Sequence, residues 1–161
     1  MLNRNSAIIE KYKIGKYPFE ENIEIIFSEN RNLIIQQIAA WPDEISNLED
    51  SQKWTVNADS TMLFRYSAIT FNGHKIHYDL PFSQKSEGHE GLLTHGPMQA
   101  TLIANRAFAS GLPIKSMKYR GLSPLVCQHP FDVEVGKDQD QIIGRVISSK
   151  NKITMQAEFT I

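Results

Sequence analysis

The stretch Gly96-Pro97-Met98-Gln99-Ala100-Thr101-Leu102-Ile103-Ala104-Asn105-Arg106-Ala107-Phe108-Ala109 decides the fold. Proline suits the start of a helix, where its missing N–H costs nothing, so Pro97 predicts the first helical position and Gly96 the cap before it. Gly111 and Pro113 then stop the helix. Met98, Ala100, Leu102, Ile103, Ala104, Ala107 and Phe108 leave little polar surface, which predicts a helix buried nearly all round. Four strand-like runs follow: Ile114 to Tyr119, Phe131 to Val135, Ile142 to Ser148 and Ile153 to Ile161. Turn signals separate them at Gly121-Leu122-Ser123-Pro124, Gly136-Lys137-Asp138 and Lys150-Asn151. The last run alternates, with Ile153, Met155, Ala157 and Phe159 on one face and Thr154, Gln156, Glu158 and Thr160 on the other. One buried helix followed by an antiparallel meander is an α+β arrangement.

A sheet with one apolar face, covered by one long helix, is the geometry of a hot-dog fold. Upstream of the helix, Ile23 to Phe27 and Leu33 to Trp41 read as two strands joined by a turn, and Trp54-Thr55-Val56 as a third, short one. Pro42 to Gln52 is acidic and polar, the best candidate linker. Asp59 or Ser60 can cap a helix from about Thr61. Met62, Leu63, Tyr66 and Ile69 share its predicted inner face, and Phe71-Asn72-Gly73 its left-handed end. His74 to Asp79 and Pro81 to Glu90 read as loops.

Composition removes several function classes. The chain has 161 residues, 41% of them hydrophobic, which fits one domain with a core. Its net charge of -1 offers no cationic excess to hold a polyanion, so no nucleic-acid partner is expected. One cysteine, Cys127, cannot make an internal disulfide or a Cys-rich zinc site. No apolar run approaches the roughly 18 residues of a membrane span, and residues 1–22 lack the apolar core of a signal peptide. No membrane partner and a reducing, cytoplasmic compartment are the expectations.

Polar chemistry concentrates between the two predicted helices. Phe64 to Asp79 packs two histidines, two tyrosines, an asparagine and an aspartate around Gly73, and Leu93-Thr94-His95-Gly96-Pro97-Met98-Gln99 opens the apolar helix. A turn able to hold an acid/base group is thus followed by a helix N-terminus able to hold an oxyanion. Each residue also has a plain structural reading. His77 could bond the backbone, and Asn72-Gly73 could be only a turn. His95 could pack or cap, Tyr66 could belong to the core, and Asp79 could hold a turn. Arg65, Arg106 and Arg120 fit solvated surface as well as phosphate, and His89 and His129 carry no motif. His74 and His77 stand three apart, but no third ligand accompanies them, so no metal is expected.

The stretches Phe64-Arg65-Tyr66-Ser67-Ala68 and Phe71-Asn72-Gly73-His74-Lys75-Ile76-His77-Tyr78-Asp79 resemble the hydratase motif of MaoC-like hot-dog enzymes. They look most like a branch that includes mesaconyl-C4-CoA hydratases and type-2 hydroxyacyl-thioester dehydratases. Thr94-His95-Gly96-Pro97-Met98-Gln99-Ala100 looks like that branch's helix start, and the likeness spans roughly Trp54 to Ile161. The common MaoC pattern has aspartate where this chain has Asn72, and Asn-Pro where it has His74-Lys75. Members of the branch often carry a preceding hot-dog-like half. The resemblance therefore implies that residues 1–50 are an N-terminal segment, a remnant of such a half, and 51–161 the hydratase domain.

The resemblance implies a hydro-lyase interconverting 2-enoyl and 3-hydroxyacyl thioesters, such as mesaconyl-C4-CoA or a similar short-chain substrate. The thioester would be carried by coenzyme A or acyl carrier protein, with no other cofactor. His77 would be the base, since its ordinary pKa of ~6.5 lies near working pH. Asn72 cannot titrate but can orient the attacking water. The Gly96 N–H would hold the thioester oxygen, a donor typically worth ~3 kcal/mol in the transition state. Tyr66, Arg65, His95 and Met98 would meet the substrate. Two other readings compete: a non-catalytic or partner-dependent hot-dog subunit, and a hot-dog thioesterase, which wants a carboxylate near the central helix; none lies inside Gly96 to Ala109, although the nearby loop supplies Glu87 and Glu90. An exposed sheet edge and an apolar flank predict a homodimer or a hot-dog heteromer.

Overall fold

The computed structural model describes residues 22–27, 33–37 and 48–161. In chain order these form β1 (Asn22–Phe27), β2 (Leu33–Gln37), β3 (Glu49–Asn57), α1 (Ser60–Thr70), a 3-10 turn (Lys75–His77), α2 (Leu80–Lys85), α3 (Gly96–Ala109), β4 (Ser116–Gly121), β5 (Pro130–Asp138), β6 (Gln141–Ser148) and β7 (Ile153–Thr160). The strands make one antiparallel sheet in the order β2-β1-β4-β7-β6-β5-β3. Helix α3 lies across β4, β5, β6 and β7.

Register explains why the helix sits there. Cross-strand pairing places Tyr119, Ala157, Gly144 and Val135 in one row, and Met117, Phe159 and Ile142 in the next. With Met98, Ile103 and Ala107 of α3 they form the core. Gly144 is a point of close approach between α3 and the sheet. A Cβ there would lie 2.2 Å from Ile103 Cγ2 and 3.1 Å from Phe159 Cε2. A glycine in mid-strand thus lets a whole helix settle on the sheet.

The extent of α3 is the predicted one, but its burial is not. Its outer side, Thr101, Asn105 and Phe108, is exposed, because the sheet covers one face only. Gly96 is the first helical residue and His95 the N-cap, one position earlier than expected, with Pro97 second. The polar side of β7 is likewise not all solvated. Thr154 and Gln156 are buried, and Thr154 Oγ1 donates to Gln99 Oε1 at 2.7 Å. A register shift in the β6–β7 pairing near Val146 and Ile147 breaks the simple alternation.

Around α1 the local chemistry wins over the sequence reading in three places. Asp59 is the N-cap, its carboxylate accepting from Met62 N, but the left-handed end is Phe71 with φ 55, not Asn72 or Gly73. The buried side of α1 is Leu63 and Ser67, four residues apart, while Ile69 is 75% exposed. Leu80 to Lys85 is helix rather than loop, because Asp79 Oδ1 accepts from Phe82 N at 3.0 Å and Pro81 fits its first turn.

Glu49 to Gln52 are strand, not linker. β3 runs the full nine residues against β5, with a register irregularity between Glu49 and Gln52. β1 pairs with β4, so the described part of residues 1–50 lies in the same sheet as the rest. Residues 38–41 and 42–47 of the expected second strand and linker lie outside the described residues.

Candidate active site

The 3-10 turn and the segment before α3 are pinned together by backbone bonds. Leu93 N donates to the Ile76 carbonyl at 3.0 Å, and Thr94 N to the Leu125 carbonyl at 2.7 Å. This clamps residues 92–95 between the turn and the chain at 125–127, and buries Leu92, Leu93, Thr94 and His95. His77 and His95 arrive from either side of the clamp. Their rings stack face to face, centroids 3.6 Å apart and planes 17° from parallel.

His77 is fixed by one bond. Its Nδ1 lies 2.7 Å from the Leu93 carbonyl oxygen. A carbonyl only accepts, so Nδ1 carries the hydrogen and Nε2 keeps its lone pair. Burial is the main reason its pKa falls, to about 4; the bond to Leu93 opposes the fall and the neighbouring His74 adds to it. His74 meets the His77 ring edge-on at 5.9 Å between centroids. The His95 pKa is pushed down to about 3, chiefly by burial and then by His77. Both rings are therefore neutral at pH 7.

His95 is the N-cap of α3 yet makes no side-chain capping bond. Its Nε2 instead lies 2.8 Å from Ser67 Oγ, and Tyr66 leans on its ring at 4.8 Å. Asn72 closes the turn after α1. Its N–H donates to the Ser67 carbonyl at 2.9 Å, and its Oδ1 accepts from His74 N at 3.0 Å. That leaves the Asn72 NH2 as the half of the amide not engaged in the turn. Asn72 and Ser67 line a shallow cavity of about 280 Å³ with Phe64, Ala68, Phe71 and Tyr78. Tyr78 holds the loop by donating to the Gly73 carbonyl at 2.7 Å.

The expected site residues thus divide. His77, His95, Tyr66 and Asn72 gather around α1 and the clamp, and Gly96 follows directly at the start of α3. Met98 is not at the surface of this site; it is 2% exposed in the core beneath the sheet. Arg65 is exposed on α1. Arg106 is not at the surface: it is buried, bonded to Gln52 and laid over the Trp54 ring at 5.0 Å. Asp79 is the cap of α2. Ser67 is the residue that sequence reasoning missed. A hydroxyl four residues after Leu63 on the inner face of α1 was the available signal. Among the described residues no group of three or more His, Cys, Asp or Glu is placed to hold a metal ion. No helix among them is long and apolar enough to cross a membrane.

An antiparallel sheet packed on one long helix, with a histidine-bearing turn set against the helix start, defines a hot-dog protein. The family described as hydroxyacyl-thioester dehydratase type 2 matches residues 5–127. The chain belongs to that family. It is 39% identical over 105 residues to the mesaconyl-C(4)-CoA hydratase of Chloroflexus aurantiacus, covering 65% of this chain and 38% of that protein. It is 27% identical over 135 residues to the mitochondrial hydroxyacyl-thioester dehydratase type 2 of Schizosaccharomyces pombe, covering 79% and 45%. The chain thus matches less than half the length of these relatives. Among solved structures, a MaoC-like dehydratase from Phytophthora capsici superposes with a TM-score of 0.62 at 12% identity, covering 88% of this chain and 62% of that one. An R-hydratase from Pseudomonas aeruginosa does so with 0.59 at 17% identity, covering 71% and 79%.

Proposed function

We propose that this chain adds water to, or removes it from, an acyl thioester. The observation that carries this reading is the His77–Leu93 bond, which fixes a neutral imidazole with its Nε2 lone pair available. Such a ring can take a proton from water. The imidazolium so formed is stabilised by the Leu93 carbonyl at Nδ1 and by the negative charge growing on the thioester oxygen. Asn72 does not titrate, so the proton accepted by His77 is the one returned to the alpha carbon. The Asn72 NH2 can orient the water. Gly96 N–H belongs to the first turn of α3, has no intrahelical partner, and lies where the helix dipole favours negative charge. A substrate borne on coenzyme A or acyl carrier protein, with a short 2-enoyl chain of the mesaconyl-C4 kind, fits the names of the curated relatives.

The test is a panel of 2-enoyl thioesters, followed by loss of the conjugated absorbance. Turnover on at least one member is expected; none on any member, at high protein concentration, would refute the reading.

A second reading is a half that needs a partner. It is favoured by the share of the relatives that the chain spans, 38% and 45%, and by β3, whose outer edge has no strand partner among the described residues. A homodimer or a hot-dog heteromer would cover that edge. Light scattering at micromolar concentration together with the assay separates the two: an active monomer of about 18 kDa excludes the partner-dependent form.

A further inference from the structure

The His95 ring holds an unresolved polar atom. His95 is 0% exposed, and its Nδ1 is buried with no hydrogen-bond partner. Thr94 Oγ1, one residue earlier, is buried and without a partner as well. A buried polar atom left unpaired is costly, so two on consecutive residues at the start of a helix point to a ligand group.

Which nitrogen of His95 carries the proton follows from Ser67. The helix hydroxyls of Thr70, Thr101 and Ser110 donate back to carbonyls four residues earlier. Ser67 does not; its Oγ bonds His95 Nε2 at 2.8 Å. If Nε2–H donated to Ser67, the buried serine hydrogen would have no acceptor and the Nδ1 lone pair no donor. If Ser67 donates to Nε2, only one group stays unpaired, the Nδ1–H. The second arrangement leaves fewer orphans and is the stable one. Nδ1 is the ring nitrogen nearer its own backbone, so this donor belongs to the N-cap residue of α3, and the next residue, Gly96, carries an N–H with no intrahelical partner.

We infer that His95 Nδ1–H is a catalytic hydrogen-bond donor to the carbonyl oxygen of a bound acyl thioester, with Ser67 as the positioning residue that sets its tautomer. This rests on the thioester reading above and extends it. Two donors then converge on one oxygen, the His95 imidazole and the Gly96 amide, as an oxyanion requires. A neutral imidazole gives its hydrogen bond without losing the proton, which keeps it distinct from the base His77 stacked on it. Half-buried Tyr66, tilted against the fully buried ring, covers it, so binding of the thioester there requires Tyr66 to move aside.

Nitrogen-15 NMR of His95 reads the tautomer, and butyryl-CoA serves as a thioester that cannot be hydrated. The expected results are an Nδ1–H tautomer in the wild type, a shift of that proton on saturation with butyryl-CoA, and drift toward Nε2–H in Ser67→Ala. In the enoyl-thioester assay, His95→Asn places an amide NH2 near the Nδ1 position, whereas His95→Gln reaches Ser67 and loses the donor. His95→Gln should lower kcat by ~10² and His95→Asn by no more than ~10-fold. An Nε2–H tautomer, an Nδ1–H signal unmoved by saturating butyryl-CoA, or a Gln variant as active as the Asn variant overturns the inference. A wild type that hydrates enoyl thioesters with the Nε2–H tautomer sinks the donor and keeps hydration. A wild type without turnover whose Nδ1–H still shifts sinks hydration and keeps the donor.

Discussion

His77 lies flat on His95, ring centroids 3.6 Å apart, and neither ring can take a proton without placing a charge against its neighbour in a buried site. Burial is the main cause of the lowered pKa values, about 4 for His77 and about 3 for His95, with His74 adding to the fall at His77 and His77 adding to it at His95. Both groups have their ordinary value near 6.5 in the unfolded chain, so below that pH the unfolded state binds protons that the folded state refuses. The contribution of these two rings is therefore full above pH ~6.5 and is lost as the pH falls through about 4 for His77 and about 3 for His95. The slope is at most ~1.4 kcal/mol per pH unit for each ring. Urea unfolding at pH 7 and pH 5 measures it. His77→Phe keeps the stacked ring but removes one titrating group, so its pH dependence should be shallower. An equal dependence in the two proteins would exclude His77 as a source of it.

The same variant tests the base. His77→Phe fills the ring volume and has no lone pair at the Nε2 position. Turnover of an enoyl thioester should fall by ~10² or more. Circular dichroism should show the wild-type fold. Loss of the bond to the Leu93 carbonyl should lower stability by ~1 kcal/mol, which leaves a folded protein in the assay. Retained turnover would exclude His77 as base.

Asn72 has two halves with separate duties. Its Oδ1 holds His74 N at 3.0 Å, and its NH2 is the part proposed to meet water. Asn72→Leu removes both and should lose stability and activity together, which decides nothing. Asn72→Asp keeps the acceptor and replaces the donor. Its melting temperature should stay near wild type while kcat changes and the pH profile gains a carboxylate limb. A profile of wild-type shape and height would make Asn72 a turn residue only.

The parts of the fold that were legible are those fixed by local chemistry. Gly96-Pro97 and Gly111 bound α3 because proline and glycine act on their own backbone. The β5–β7 meander follows from turn residues and hydrophobic runs. Burial was less legible, since it depends on what packs from afar. Nothing within α3 shows that Arg106 would meet Gln52 and Trp54, more than fifty residues away. The site divides the same way. His77 and Asn72 stood out inside one continuous motif. Ser67 did not, because its meaning comes only from His95, twenty-eight residues on.

Gly144 is a test of how α3 sits on the sheet. Gly144→Ala would put a methyl group 2.2 Å from Ile103 Cγ2, which is impossible without moving the helix or the strand. The expected cost is ~1–3 kcal/mol. Ile103→Val should not recover it, because Val keeps both branches at Cβ, whereas Ile103→Ala should recover part. Denaturant unfolding of the double variant reads this coupling. Additive losses would place the helix elsewhere.

Gly96 separates packing from chemistry most cleanly. A Cβ at this position would meet only Met155 Cε, at 3.7 Å, an ordinary contact. Alanine is therefore accommodated, and replacing glycine in a helix should raise stability slightly, by up to ~1 kcal/mol. The added methyl nevertheless stands at the helix start, on the residue whose N–H is proposed to bind the thioester oxygen. If a substrate must approach that backbone closely, Gly96→Ala should be as stable as wild type or more so, yet lower kcat/KM. Gly96→Val, with two further methyl groups, should lower it again. Melting temperature and kcat/KM on the same preparations give the result. A stable alanine variant with unchanged turnover would mean that no ligand comes near this backbone, and the oxyanion would have to be held elsewhere.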